Sequence, residues 1–157
     1  IVPTSAAPAN FTNGSTGTLL KLYGDINGDG NMVYVEYKCD TAGGNLYRNV
    51  MPITAAVKPG LTSTKILLPN ILANPGGTPC FSYQEKQVGA DWYVVDVAVT
   101  LTVQTQNPDP QTNQFQTETK ALLNVSPRNV FEGWQLASGG MTNRIQPMPA
   151  SVTALLP

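Results

Sequence analysis

Residues 24–45 read GDINGDGNMVYVEYKCDTAGGN, an acidic, glycine-punctuated loop that runs into a β-branched and aromatic stretch carrying one of the chain's two cysteines. Asp25, Asn27 and Asp29 offer hard oxygen ligands at alternate positions, Gly30 follows, and Glu36 stands where an EF-hand loop places its closing carboxylate. An EF-hand needs a helix there. MVYVEYKC instead alternates with period 2, the signature of a strand. With a rise of about 3.3 Å per residue, Glu36 lies roughly 16 Å beyond Asn31 and cannot fold back onto an ion. Asp25, Asn27, Asp29 and the Asn31 carbonyl are left as ligands for a structural Ca²⁺, at the weak end of the calcium range, about 10⁻⁴ to 10⁻³ M. The same residues also suit a plain turn, because Asn, Asp and Gly tolerate positive φ and bond their own backbone.

Working outward, Thr18 to Tyr23 reads as a strand entering the loop and Met32 to Cys39 as the strand leaving it. Val33, Val35, Tyr37 and Cys39 share one face, so the cysteine points to the core; Tyr34, Glu36 and Lys38 share the other. Asp40 to Asn45 is turn chemistry, and Leu46 to Val50 continues the meander. Five prolines (52, 59, 69, 75 and 79) interrupt residues 51–79 and exclude a long helix, while Ile66, Leu67, Leu68, Ile71 and Leu72 form an apolar plug that crosses the sheet. Cys80 to Tyr83 starts another strand. Val95, Val97, Val99, Leu101 and Val103 then alternate with polar residues, and Phe115 to Val125 returns from a proline-bearing tip with Phe115, Thr117, Thr119, Ala121, Leu123 and Val125 on one face. The tail from Ser126 reads as an irregular strap. The fold class is mainly β, an antiparallel meander sheet with long irregular loops.

A chain of 157 residues suits one domain with a real core. Residues 1–17, rich in Pro, Ala, Ser, Thr and Asn, read as a linker, and 18–157 as a single β-rich head. Nine Lys plus Arg against ten Asp plus Glu give no basic footprint for nucleic acid or for an anionic membrane. There is no histidine, which removes the usual general base and every Ser-His or Cys-His nucleophile pair. Asp25, Asp29, Glu36, Asp40, Glu85 and Asp91 supply carboxylates in no readable catalytic pattern, so the sequence points away from an enzyme. Cys39 and Cys80 permit one disulfide, which the extracytoplasmic style of composition favours. Closing a loop of about 40 residues would stabilise the fold by roughly 4 kcal/mol.

Several segments in order resemble the minor pilins and pseudopilins of type IV pilus and type II secretion systems, especially the larger PilW-like class. They are the Asp-x-Asn-Gly-Asp-Gly loop (Gly24 to Asn31), Val35 to Tyr37, Gly44 to Arg48 (Gly-Asn-Leu-Tyr-Arg), Pro69 to Tyr83, the long strand Val97 to Val103, and Arg128-Asn129. Members of that family begin with an apolar helix that anchors the subunit and packs on the sheet. The resemblance therefore implies an α+β full-length protein whose N-terminal helix is not in this sequence, and one sheet face left bare for it. It implies a non-catalytic filament subunit at the cell envelope, extracytoplasmic and reaching the membrane only through that helix. Its partners would be other pilin or pseudopilin subunits, reached through the helix and the sheet face, and not nucleic acid. It further implies a structural Ca²⁺ in the acidic loop, and structural roles for Arg128 and Asn129 in tying loop carbonyls to a carboxylate. The competing reading is a secreted β-sandwich binding module for carbohydrate or a cell surface, with Trp92, Tyr93 and Trp134 as stacking platforms.

Overall fold

The computed structural model describes residues 1–157 apart from 8–10 and 145, and the side chains of all of these except 122, 123 and 143. Strands β1 (Leu19–Gly24), β2 (Val33–Asp40), β3 (Asn45–Pro52) and β4 (Ile66–Pro69) form one antiparallel meander. Strands β5 (Ile71–Leu72), β6 (Phe81–Val88), β7 (Asp91–Gln104) and β8 (Thr117–Val125) form a second sheet, also antiparallel. Two short helices follow, α1 (Arg128–Ser138) and α2 (Ala150–Leu155). The fold is mainly β with antiparallel pairing, as the period-2 patterns predict, but it has two sheets packed face to face where one meander was expected.

The core between the sheets contains Leu20, Cys39, Leu46, Ile71, Cys80, Phe81, Val94 and Val97. Cys39 of β2 is bonded to Cys80 just before β6, with Cα atoms 6.4 Å apart, so the bridge joins one sheet to the other through the middle of this core. Of the crossing segment's apolar residues, Ile71 is fully buried, whereas Leu67 is more than half exposed. The plug fails at Leu67 because β4 is a strand, and alternation turns every second side chain outward.

One structural irregularity sorts the side chains of β7. Gln84 pairs with Asp96 but Glu85 pairs with Val94, so Val95 is an extra residue on β7, a β-bulge. Strict alternation would place Val95 beside Val97. The bulge instead puts Val94 and Val97 into the inter-sheet core and turns Tyr93 and Val95 to the opposite face. There they meet Val130, Phe131, Trp134 and Ala137 of α1.

The tail is not an irregular strap. Val130, Phe131, Trp134 and Ala137 recur at helical spacing, and a Schellman motif ends α1: Gly140, with φ 88°, donates to Ala137 O and Met141 donates to Leu136 O. Both helices start at a proline, Pro127 and Pro149, without a side-chain cap. A proline is tolerated at a helix beginning, where a missing N–H is no loss.

The outer face of the first sheet holds another cluster, Val2, Tyr34, Met51, Val152, Leu155 and Leu156. Within the expected linker, Val2, Thr4, Ala7 and Ser15 are buried; its residues 8–10 lie outside the described residues. Over Tyr34 and Met51, the sheet face that the resemblance would leave bare is therefore covered by the chain's own first and last residues.

Candidate functional site

The densest polar cluster lies on that same outer face. Cross-strand register places Lys21 of β1 opposite Glu36 of β2, and Glu36 opposite Asn49 of β3. All three are buried. The Glu36 carboxylate accepts from the Tyr34 hydroxyl at 2.8 Å and from Lys58 Nζ at 2.7 Å, with Lys21 Nζ at 4.0 Å. Lys21 Nζ donates to Asn13 O at 2.6 Å and to Leu156 O. Lys65 Nζ donates to Asn49 Oδ1 at 2.6 Å and to Gly60 O at 2.8 Å, while Asn49 Nδ2 donates to Pro59 O.

Burial pushes the Lys21 ammonium down, Lys58 pushes it further, and Glu36 opposes both. The Tyr34 phenol is pushed up by burial and then by the neighbouring carboxylate. A perturbed lysine beside a buried glutamate is the kind of group that marks an active site. Here the partners are mostly carbonyls from distant segments: Asn13 near the start, Pro59 and Gly60 in the proline-rich crossing, Leu156 near the end. The cluster fastens three segments to a sheet. The sequence marked Glu36 as a carboxylate on the Tyr34 face that cannot reach the calcium loop; its position opposite a lysine on the neighbouring strand was the available signal for the cluster.

The acidic loop is exposed. Asp25 Oδ1 accepts from the Asp29 N–H at 3.1 Å and Oδ2 from the Gly30 N–H at 2.9 Å; Asp29 Oδ1 accepts from the Asn31 N–H at 2.8 Å. That last bond holds the Asp29 carboxyl below the usual carboxylate range. Gly28 and Gly30 have φ of 69° and 82°, which only glycine adopts without strain. The loop thus closes on its own backbone. Asp25, Asn27, Asp29 and Asn31 stand on one exposed turn, and Glu36 is inside the protein with other partners.

Two cavities of about 280 Å³ each open on the surface. One lies between the N-terminal segment and α2, lined by Val2, Phe11, Met148 and Leu156 among others, and holds no titratable side chain. The other contains Tyr83 and Glu85. Glu85 accepts from the Thr4 N–H and hydroxyl, and Tyr83 donates to Thr16 O at 2.9 Å, so these two also fasten the first residues of the chain.

No family model matches this chain, and no curated protein or solved structure shows significant similarity to it. Function has to be read from the geometry.

The aromatic residues proposed as platforms are not gathered into one. Tyr93 is buried under α1, and Trp134 packs on Phe131 with ring centroids 5.5 Å apart and planes tilted by 57°. Trp92 Nε1 and Asp96 Oδ1 are buried without a hydrogen-bond partner, but the register sets them on opposite faces of β7. Arg128 sits in the first turn of α1, bonds Glu132 one turn on at 2.9 Å, and is almost fully exposed; Asn129 beside it is exposed too. The resemblance gave this pair a tie to loop carbonyls. Arg128 makes an i,i+4 surface pair instead, because α1 begins at this point and carries it outward.

Proposed function

We propose that this chain is a non-catalytic structural head, the β-rich domain of a filament or envelope subunit of the minor-pilin and pseudopilin kind, working by contact with other subunits. The observation that carries this reading is the destination of its charged groups. Glu36, Lys21, Lys58, Lys65 and Glu85 are each engaged in fastening a chain segment to a sheet. The ordered loop-and-strand segments also lie on both sheets, β1 to β3 of one and β6 to β7 of the other, which the Cys39–Cys80 bridge joins. The bridge further suits an oxidising, extracytoplasmic compartment.

The deciding experiment is to sequence the DNA immediately upstream of the Ile1 codon and fractionate the full-length product. A short basic leader, a processing site and a long apolar helix with an early Glu are expected, with the protein in the membrane or filament fraction. A simple signal peptide or another secreted domain would overturn the reading in favour of a β-sandwich binding module.

Within this reading the acidic loop would hold a weak structural Ca²⁺ through Asp25, Asn27, Asp29 and the Asn31 carbonyl. In support, those donors share one exposed turn and each bonded carboxylate oxygen keeps a second lone pair. Asp29→Ala should lower thermal stability in millimolar Ca²⁺ and change it little in EDTA. Equal losses in both would leave the loop a plain turn.

A further inference from the structure

The second sheet ends in β6 on one side and in β8 on the other, and the β8 edge runs along the longer, exposed strand. Strand β6 pairs with β7 over Asp91–Val99 and β5 pairs at Thr102 and Val103. Strand β8 pairs over Val97–Gln104, overlapping both, so β5 and β6 share one edge of β7 and β8 takes the other. No further strand among the described residues pairs with β8. Thr117, Glu118, Thr119, Lys120 and Ala121 are exposed, as are Asn124 and Val125, so this strand is open on its faces as well as along its edge.

The hydrogen-bond phase of that edge follows from one bond. Thr105 N–H donates to Gln116 O at 2.9 Å, which makes Thr105 and Gln116 a hydrogen-bonded pair. Along an antiparallel ladder such pairs alternate. Glu118 and Lys120 therefore turn their backbone groups to β7, and Thr117, Thr119 and Ala121 turn theirs to the open side. A strand added there must hydrogen-bond to those three residues.

We propose that the occupant is β8 of a second copy of this chain, paired antiparallel about a two-fold axis at Thr119. Charge selects this partner and this register. The phase allows a two-fold centre on any residue of the strand, and the centres that bring both charged residues into the paired stretch are 118, 119 and 120. Centring on Glu118 sets glutamate against glutamate, and centring on Lys120 sets lysine against lysine, both destabilising. Centring on Thr119 puts Glu118 of each copy opposite Lys120 of the other, at the close, non-hydrogen-bonded positions where side chains interact most. Thr117 then faces Ala121. The middle of β8 contains no proline, and its one register shift falls between its pairings with Val97 and Val99, at the far end. The charges that would blunt this edge, Glu118 and Lys120, are of opposite sign and already pair with each other at 3.3 Å, so a second copy in this register extends that pairing across the axis. Strand addition of this kind uses main-chain bonds for affinity and side-chain pairs for choice of partner. The inference does not depend on the pilin-like reading.

The test uses the oxidised protein, in which Cys39 and Cys80 are bonded to each other and no cysteine is free. Thr119→Cys should form a disulfide dimer under mild oxidation, because residues facing each other across the axis have Cα atoms about 5.5 Å apart, within disulfide range. Thr117→Cys should not, since its two copies would be separated by about four residues of strand. Mixing Thr117→Cys with Ala121→Cys should cross-link where neither does alone, and this arm stands if Thr119→Cys disturbs its bond to Thr102. Lys120→Glu should weaken dimerisation by about tenfold, read by concentration-dependent light scattering. The double exchange Glu118→Lys with Lys120→Glu should restore it. A monomer at high concentration, equal cross-linking of Thr117→Cys and Thr119→Cys, or an unchanged Lys120→Glu variant would overturn the proposal. So would capture of the edge by an unrelated extended peptide in preference to the second copy.

Discussion

The two sheets share one apolar core but cover their outer faces by opposite means. Over the second sheet, α1 lays Phe131, Trp134 and Ala137 onto Tyr93 and Val95, an ordinary amphipathic helix on a sheet. Over the first, the covering segments are the N-terminal residues, the short helix α2 with Leu156, and a proline-rich crossing, and they are fixed by Lys21, Glu36, Asn49, Lys58 and Lys65. A helix satisfies its own backbone and needs only an apolar stripe to dock. An irregular segment brings unpaired carbonyls, and these must find donors when buried. Buried lysines supply them. The charged cluster is thus the consequence of covering a sheet with irregular chain and with the end of a short helix, whose last carbonyls lack partners of their own.

The largest effect should come from the charged side. Glu36→Ala leaves Lys21 buried without its counter-charge and is expected to destabilise the fold by about 3–5 kcal/mol in urea titrations. A loss below about 1 kcal/mol would show that packing alone holds that face. On the other side, Trp134→Ala should remove about 2 kcal/mol through lost apolar contact around a half-buried ring. Its effect should be insensitive to salt and to pH.

Alkaline pH separates the two faces. Tyr34 ionises less readily folded than unfolded, so its contribution is fully present below about pH 10 and is lost as pH rises above that value. Lys21, with its ammonium disfavoured in the fold, works in the opposite sense and recovers stability as pH approaches about 10.5. The phenol shift is the larger, so stability should fall above pH 10, and Tyr34→Phe should flatten that fall. A fall of unchanged steepness in Tyr34→Phe would place its cause elsewhere, with Tyr83 as the next phenol pushed up by burial. The smallest effect belongs to Arg128→Ala, within about 0.5 kcal/mol, since an exposed i,i+4 pair contributes little. A loss above 1 kcal/mol would restore the structural tie expected for Arg128.

Most strands were legible because period-2 alternation is a local steric property, and the Glu36 argument succeeded on that ground: a strand cannot bring residue 36 back to the loop. The Cys39–Cys80 bridge was legible because the chain has only two cysteines. What misled was composition taken as conformation. The tail from Ser126 was read as an irregular strap where Pro127 and Pro149 open helices, and the Pro, Ala and Ser of the first residues as linker where Val2 and Ser15 are buried. Val95 was assigned by strict alternation, which a single bulged residue inverts, and the expected position of Leu123 falls outside the described side chains.

By itself, then, the sequence determined the strands, the tight acidic turn and the only possible disulfide, because each rests on neighbours in the chain or on a count of two. Tertiary structure alone decided that Tyr34, Glu36 and Lys21 are interior, that α1 and the chain ends each cover a sheet, and that β8 keeps an open edge. Those outcomes depend on segments far apart, such as Leu156 accepting from Lys21. No local pattern records which carbonyl will arrive to meet a buried charge.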